Sequence, residues 1–405
     1  MSPRALDGLL ILDLTHYIAG PYCTKRLADY GARVIKIERP DGGDPCRRLG
    51  PFPDDTPHPE KSGLFLHLNT NKESLTLNLK SLRGRQIFFK LLMQADVVVE
   101  SFHPRVMRQL QLDYPLLRRV KPSIVMTSIS NFGHTGPYRD WQAQDLTLYA
   151  MGGEMYSSGA TNRDPLQQAP GLTLYQGGAM AATATLVAIF AARRHHVGQH
   201  IDLSLFETQV GSMDRRLTNL VAYQYNGASP APEDPKPVGV MPSGVYRCKD
   251  GFVDIRTNIR WWERLVTMME MPELNDDPRF GTEDARLNPA HREAFLKQFE
   301  DWLMRHSRQD IMRKAQQARL PATAVNTPEE VLTDPHFVER NSFVDIEHPV
   351  AGTWKFPGAP FRLERTPWQI RQLAPLLGQH TEAILQELLK FSDADIQELR
   401  DCYII

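Results

Sequence analysis

Cysteine is scarce in this chain of 405 residues, and the four present (Cys23, Cys46, Cys248, Cys402) show no CxxC spacing. That argues against a zinc site or a disulfide framework and for free thiols in a reducing compartment. Neither sign of charge is in excess: 47 Lys plus Arg stand against 48 Asp plus Glu, so no basic field of the kind used to hold nucleic acid surrounds the protein. No apolar run approaches the ~18 residues of a membrane span, and the start MSPRALDG is too short and polar for a signal peptide. The expectation is a cytosolic protein with no membrane or nucleic-acid partner, no bound metal and no internal repeat.

The first forty-five residues carry the strongest positive signal. The apolar run Leu9 to Leu14 and the β-branched Arg33 to Glu38 read as parallel strands buried on both faces. Between them Pro21 to Tyr30 is of helix length, with Gly31 where a helix C-cap belongs. An acidic residue, Glu38, ends the second strand as in dinucleotide-binding folds. The connecting loop, however, is Thr15-His16-Tyr17-Ile18-Ala19-Gly20-Pro21, with one glycine where the dinucleotide fingerprint has three, which argues against a pyrophosphate on this helix.

Strand and helix patterns keep alternating through Leu75 to Leu79, Arg85 to Gln94, Asp96 to Glu100, a short helix near Val106, and Ser123 to Ile129, the pattern of a doubly wound sheet. A small-residue helix follows from Tyr175 to Arg194, suited to close packing in a core or at a subunit interface. Past the Pro-rich stretch Gly227 to Pro237 the pattern changes to short strands (Gly244 to Arg247, Phe252 to Arg256) and amphipathic helices (Trp261 to Met269, His291 to Arg305). The chain closes with helices at Thr381 to Lys390 and after Ser392, a candidate N-cap. The expected organisation is a Rossmann-like large α/β domain over 1–200, a linker over 201–225, a small α+β domain over 226–330, a second linker over 331–374, and a return to the large domain over 375–405.

The segments DLTHYIAGPYCTKRLADYGARVIKIERP, NTNKESLTLNLKSLRGR, ADVVVESFHP, LDYPLL, SISNFGHTGPYRD, GQHIDLSLFE, YRCKDGFV, DDPRFGTEDAR and APLLGQHTEAIL, in this order, resemble the class III CoA-transferases of the CaiB/BaiF family. That family includes formyl-CoA, carnitine and benzylsuccinate CoA-transferases and a 2-methylacyl-CoA racemase. The resemblance runs from about residue 7 to 398. It implies two ring-like subunits threaded through each other as an interlocked dimer, and CoA or an acyl-CoA as substrate, bound at the carboxyl ends of the first strands. The positions that match the family's CoA contacts are His16, Ile18, Ala19, Arg39, Leu77, Lys80, Ser101, Phe102, Gln109 and Gln142. Cationic groups there suit phosphates and apolar ones suit the adenine face. Four depart from the formyl-CoA transferase pattern: Ile18 replaces an amide side chain, Ser101 an Asn, Gln109 an Arg and Gln142 a Lys. Arg108, one residue before Gln109, is the candidate local replacement for the missing Arg.

In these transferases an Asp four residues before a helix-opening Gly attacks the donor thioester and carries the acyl group, then CoA, as an anhydride and an aspartyl thioester. Here that Gly is Gly178, and four residues earlier stands Leu174. The nearest carboxylates are the candidate substitutes Asp164, ten residues earlier in a loop, and Asp145, at the family's YD-type position; a shift of that size moves a side chain many ångströms, whereas catalysis needs placement within about an ångström. The racemase branch needs an acid/base pair where this chain has Gln144 and Leu174, and the adjacent His195 and His196 read as a solvated helix end. The resemblance thus favours the nucleophile-lacking subunit of a heteromeric transferase, completing the site of a paralogous partner and acting on small carboxylic acids. The alternatives are a homodimeric acyl-CoA enzyme with altered chemistry and an acyl-CoA binding protein without catalysis.

Overall fold

The computed structural model describes residues 4–210, 215–229 and 242–405. The chain divides into two compact units, the first built from Met1–Met155, Gln167–Ala228 and Asn341–Ile405, the second from Tyr156–Leu166 and Ser229–Arg340.

The first unit is organised on six parallel strands, β1 (Leu10–Leu14), β2 (Arg33–Glu38), β3 (Lys72–Thr76), β4 (Val97–Glu100), β5 (Val125–Ser130) and β6 (His200–Ser204). Their order across the sheet is β3-β2-β1-β4-β5-β6, the doubly wound arrangement in which the chain reverses direction between β1 and β4. Alternate residues along each strand face opposite layers. Leu12, Leu14, Ile35, Ile37 and Leu75 pack on Ile87, Phe88 and Leu91 of α2 (Leu82–Leu92) and on Ile384, Leu385, Ile396 and Leu399 of the two C-terminal helices. Leu9, Ile11, Val34, Val97 and Val99 pack on α1 (Ala19–Asp29) and on α4 (Leu172–His195), the helix that follows the short α3 (Asp145–Met151). Ser81 caps α2 by accepting the Gly84 N–H at 2.8 Å, and Ser392 closes a capping box on the last helix.

α1 and α4 cross closely, and this explains the small residues of α4. A Cβ added at Gly178 would lie 2.4 Å from the Ala19 carbonyl oxygen, and one at Gly177 would lie 2.2 Å from Leu205 Cδ2. By length and composition α4 could cross a membrane, so the expectation that no such stretch exists is corrected. One face of it, Thr173, Gly177, Gly178, Ala181, Ala182, Thr185, Ala188 and Ile189, is buried in the first unit, while Val187 and Phe190 stay 64% and 68% exposed.

Beneath the β1–α1 loop the sheet buries charge. The register places Asp13 beside Lys36 and Lys36 beside Ser74, so one polar row runs under the loop. Asp13 receives Thr24 Oγ1 at 2.6 Å and Lys72 Nζ at 3.1 Å. Lys36 Nζ reaches Asp44 at 2.9 Å and donates to the Thr15 carbonyl at 2.8 Å. Glu38 holds Arg47 through two bonds of 2.8 Å, and Arg47 also meets Glu60 at 2.6 Å. Burial alone would raise the Asp13 carboxyl, but Lys72 and Lys36 outweigh it and hold that group well below the carboxylate range. Burial pushes Lys72 down to about 8 despite Asp13.

The second unit has a three-stranded antiparallel sheet, β7 (Gly244–Cys248), β8 (Gly251–Ile255) and β9 (Ala322–Ala324). Its core joins Tyr246, Val253 and Ile255 to Trp262, Leu265, Phe295, Phe299 and Ile311 of its helices.

Several expected boundaries differ. The third strand is Lys72–Thr76 rather than Leu75 to Leu79, because Lys72 and Ser74 find buried partners that an apolar pattern does not announce. The expected 201–225 linker holds the edge strand β6, paired with β5, and a helix at Arg215–Asn226. The second unit extends to Arg340 and takes in Tyr156–Leu166. The expected 331–374 linker contains the antiparallel hairpin β10 (Phe343–His348) and β11 (Gly352–Pro357), which belongs to the first unit. Of the Pro-rich stretch Gly227 to Pro237, residues 230 onward lie outside the described residues.

Removing one partner of a buried ion pair leaves the other charge uncompensated, so Lys36→Met should cost about 3–5 kcal/mol of stability. Glu387→Gln, at the exposed pair with Arg33, should cost less than about 1 kcal/mol. Guanidinium denaturation measures both, and equal losses would contradict the role given to the buried network.

Candidate functional site

The carboxyl ends of β1 to β5 open on two cavities that share His16 and Phe102. The first, about 530 Å³, is walled by Ile37, Leu77, Leu79, Val106 and Leu110, with Arg39 and Lys80 among its lining residues. Arg39 is half exposed and 3.9 Å from Asp41, so its guanidinium is open to an anionic ligand. The second, about 790 Å³, is lined by Tyr17, Ile18, Ala19, Ser101, Asn131, Arg139, Gln142, Gln144, Asp145, Gly171 and Leu174 among others.

The loop between β1 and α1 is fixed from below and from the side. Asp44 accepts the Tyr17 N–H at 3.2 Å and holds Tyr17 at φ +64, a left-handed conformation that a bulky residue adopts only under constraint. Ser101 Oγ accepts the His16 N–H at 2.9 Å, and the Phe102 ring packs edge-on against His16 with centroids 5.1 Å apart. Burial pushes the His16 imidazole down against the pull of Asp44.

The fold therefore gathers His16, Arg39, Leu77, Lys80 and Phe102 around the first cavity, and His16, Ile18, Ala19, Ser101, Phe102, Gln142, Asp145 and Leu174 around the second. Arg108 and Gln109 are not among the residues lining either cavity; both are exposed on the short helix Arg105–Gln109, whose neighbours Val106 and Leu110 line the first. Asp164 is exposed and belongs to the second unit. Leu174 occupies the first turn of α4, packed partly against the core and partly facing the second cavity. Asp145 Oδ2 accepts the Gly171 N–H at 2.8 Å at the entrance to α4, and its Oδ1 is buried without a hydrogen-bond partner. That carboxylate holds the helix start through Oδ2, while Oδ1 is shut off from solvent. Glu38 is buried and taken up by Arg47, which removes the acidic group a dinucleotide ribose would need.

Sequence reasoning missed a cluster at the ends of β4 to β6. Glu100, fully buried, accepts the Phe102 N–H at 2.8 Å and lies 3.8 Å from His134 Nε2. Ser128 Oγ is 2.8 Å from His200 Nε2, and Asp202 accepts the His134 N–H at 2.9 Å. His195 and His196 are exposed at the end of α4, as expected for a solvated terminus. The signal for the cluster was the acidic end of a fully apolar strand, VVVE, whose carboxylate has no choice but burial. Burial raises Glu100 to about 7, helped by Asp202 and opposed by Ser128 and Phe102.

The folded chain thus keeps a proton that the unfolded chain loses above pH 4.5. This group's contribution to stability is full below that value and is lost as pH rises towards about 7. Glu100→Gln should therefore gain on the wild type in melting temperature as pH is raised from about 5 to about 8. A constant difference across that range would contradict the raised pKa.

Comparison with known proteins places this geometry. The chain is 31% identical to a succinyl-CoA–D-citramalate CoA-transferase of Chloroflexus aurantiacus, covering 98% of this chain and 97% of that protein. It is 32% and 30% identical to the alpha and beta subunits of a succinyl-CoA–L-malate CoA-transferase of the same species, each over 99% of this chain and over 92% and 98% of those subunits. The crystal structure of a CaiB/BaiF family protein from Brucella suis superposes with a TM-score of 0.84 at 29% identity, covering 96% of this chain and all of that one. Matched over residues 6–381 by the family described as CoA-transferase family III, and similar to these proteins along nearly its whole length, the chain belongs to that family.

Proposed function

We propose that this chain is the nucleophile-lacking subunit of a heteromeric class III CoA-transferase, moving CoA between an acyl-CoA and a carboxylic acid in the cytosol beside a paralogous subunit that carries the reactive carboxylate. The carrying observation is Leu174, which stands in the first turn of α4 facing the second cavity. A carboxylate there attacks the thioester carbonyl, a C–O bond forms, the C–S bond breaks and CoA leaves as thiolate, which can then reopen the anhydride. A leucine side chain has no lone pair with which to begin. Asp145, the one carboxylate among the described residues lining that cavity, is engaged by the helix start.

The rest of a CoA site is in place in this reading. Arg39 and Lys80 receive phosphates, and Leu77 with Phe102 flanks the adenine. The relatives that are alpha and beta subunits of one transferase support a heteromer. Val187 and Phe190 leave apolar surface open on one side of α4 that a partner subunit of either kind would cover. In an interlocked pair each large unit is completed by the partner's smaller one, so a subunit without a nucleophile still contributes to a working site.

The test is isotope exchange between an acyl-CoA and its free acid. The purified chain alone should show none, and exchange should appear when it is co-purified with a paralogue bearing Asp at the position of Leu174. Robust exchange by the chain alone would overturn the reading.

A further inference from the structure

Among the described residues, the buried acids Asp13, Asp29, Glu38 and Asp44 each meet a lysine or arginine at 3.1 Å or less. Glu100 is the buried acid that meets neither. Its one basic neighbour is the His134 imidazole, whose Nε2 lies 3.8 Å away, buried and without a hydrogen-bond partner. A carboxylate enclosed without a fixed cation favours its protonated form. The strands on either side bring no charge to it: β1 places Leu14 beside Glu100 in register, and β5 places Ser128. Ser128 Oγ is shared with His200 Nε2 at 2.8 Å, the Tyr114 ring stacks on His200 at 5.3 Å, and the His134 ring stands edge-on to His200 at 5.4 Å. The charged group that β6 presents is another acid, Asp202, which accepts the His134 N–H at 2.9 Å. Arg108, Arg139 and His103 act on His134 through charge, not contact.

This pair is tied to the walls of both cavities. Glu100 Oε2 accepts the Phe102 N–H at 2.8 Å, the Phe102 ring packs on His16, and both of those residues line the two cavities. Asn131, three residues before His134, lines the second. The bond to Phe102 is already made in the free chain, so a ligand changes the pair only through charge and water. CoA brings phosphate charge and takes water from in front of Phe102, and neither change supplies Glu100 with a cation. Added negative charge favours the protonated state of a carboxylate and of an imidazole alike. Resting on the proposed reading of the cavities as a CoA site, we infer that Glu100 is a positioning residue that couples CoA binding to the uptake of a proton by the Glu100–His134 pair behind the Phe102 wall. Burial raises Glu100 to about 7 in the free chain, so this uptake falls near neutrality. The sign follows from linkage: affinity is full where the free chain already holds the proton and falls as pH rises past that point.

Calorimetry of CoA binding to the purified full-length chain, repeated in buffers of different ionisation enthalpy, reads both the affinity and the protons taken up. Glu100→Gln cannot ionise yet keeps an acceptor for the Phe102 N–H, so it should bind CoA as the wild type does at low pH. Between about pH 6 and about pH 9 the wild type should lose roughly tenfold in affinity relative to Glu100→Gln, the effect of a one-unit rise in pKa on binding. Comparison with the variant cancels the titration of CoA's own phosphates. Glu100→Ala, which removes the acceptor, should weaken CoA by one factor at every pH. Infrared difference spectra of the wild type should gain a protonated-carboxyl band on adding CoA at about pH 8, which needs no variant to fold. Parallel pH profiles for wild type and Glu100→Gln, or CoA binding with no such band, overturn the coupling alone. A wild type that binds no CoA overturns the underlying reading and the coupling with it.

Discussion

Seven ionisable side chains share the space under the β1–α1 loop, and the candidate site depends on how they are paired. Asp13, Lys36, Glu38, Asp44, Arg47 and Lys72 are essentially without solvent contact, and Glu60 closes the set from the rim. Charges this deep are tolerated only when each is matched and hydrogen-bonded. The matching fixes more than the charges: Lys36 holds the Thr15 carbonyl, Asp44 holds the Tyr17 N–H and the Cys46 N–H, and Glu38 holds the Asp44 N–H. The loop and the segment after β2 are thereby tied to the same set of buried groups. Arg39, the first residue beyond that strand, is displayed at the cavity mouth by a backbone that has little freedom to move.

The same network marks the limit of what the sequence reveals. The continuous apolar strands and the helix between them are legible because burial on both faces demands them, and β2 falls at Arg33–Glu38 as its β-branched residues require. The third strand was displaced because its first residues, Lys72, Glu73 and Ser74, look solvated, yet Lys72 and Ser74 are buried by partners on other strands. Pairing across strands is a property of register, and a hydrophobic pattern does not encode it. The hairpin Phe343–His348 with Gly352–Pro357 was hidden for a related reason: its second strand is mostly exposed, and in the first only Ile346 and His348 are buried, too short an alternation to announce a strand.

Candidate site residues were legible through their matching motif, segment by segment, and the fold brings most of them to two adjoining cavities. Arg108 and Gln109 were not brought there, since a helix of five residues turns their side chains to solvent. Glu100, His134 and His200 were passed over because they are far apart in the chain and meet only where β4, β5 and β6 end side by side. Asp145 is the instructive case. Its sequence distance from Leu174 suggested irrelevance, yet its carboxylate meets the Gly171 N–H three residues away from that leucine. It supports the helix start, and its second oxygen is closed off from solvent.

The proposed role rests on Leu174 standing where the family carries its nucleophilic Asp, with Asp145 the one carboxylate among the described residues that line the same cavity. Chemical trapping examines that point most directly. The chain, assembled with its paralogue, is incubated with acyl-CoA and treated with borohydride or hydroxylamine, which convert an aspartyl thioester or anhydride into a stable adduct, and the adduct is located by peptide mass spectrometry. An adduct is expected on the partner's carboxylate and none on Asp145, Asp164 or any other acidic residue of this chain. An adduct on Asp145 or Asp164 would contradict it.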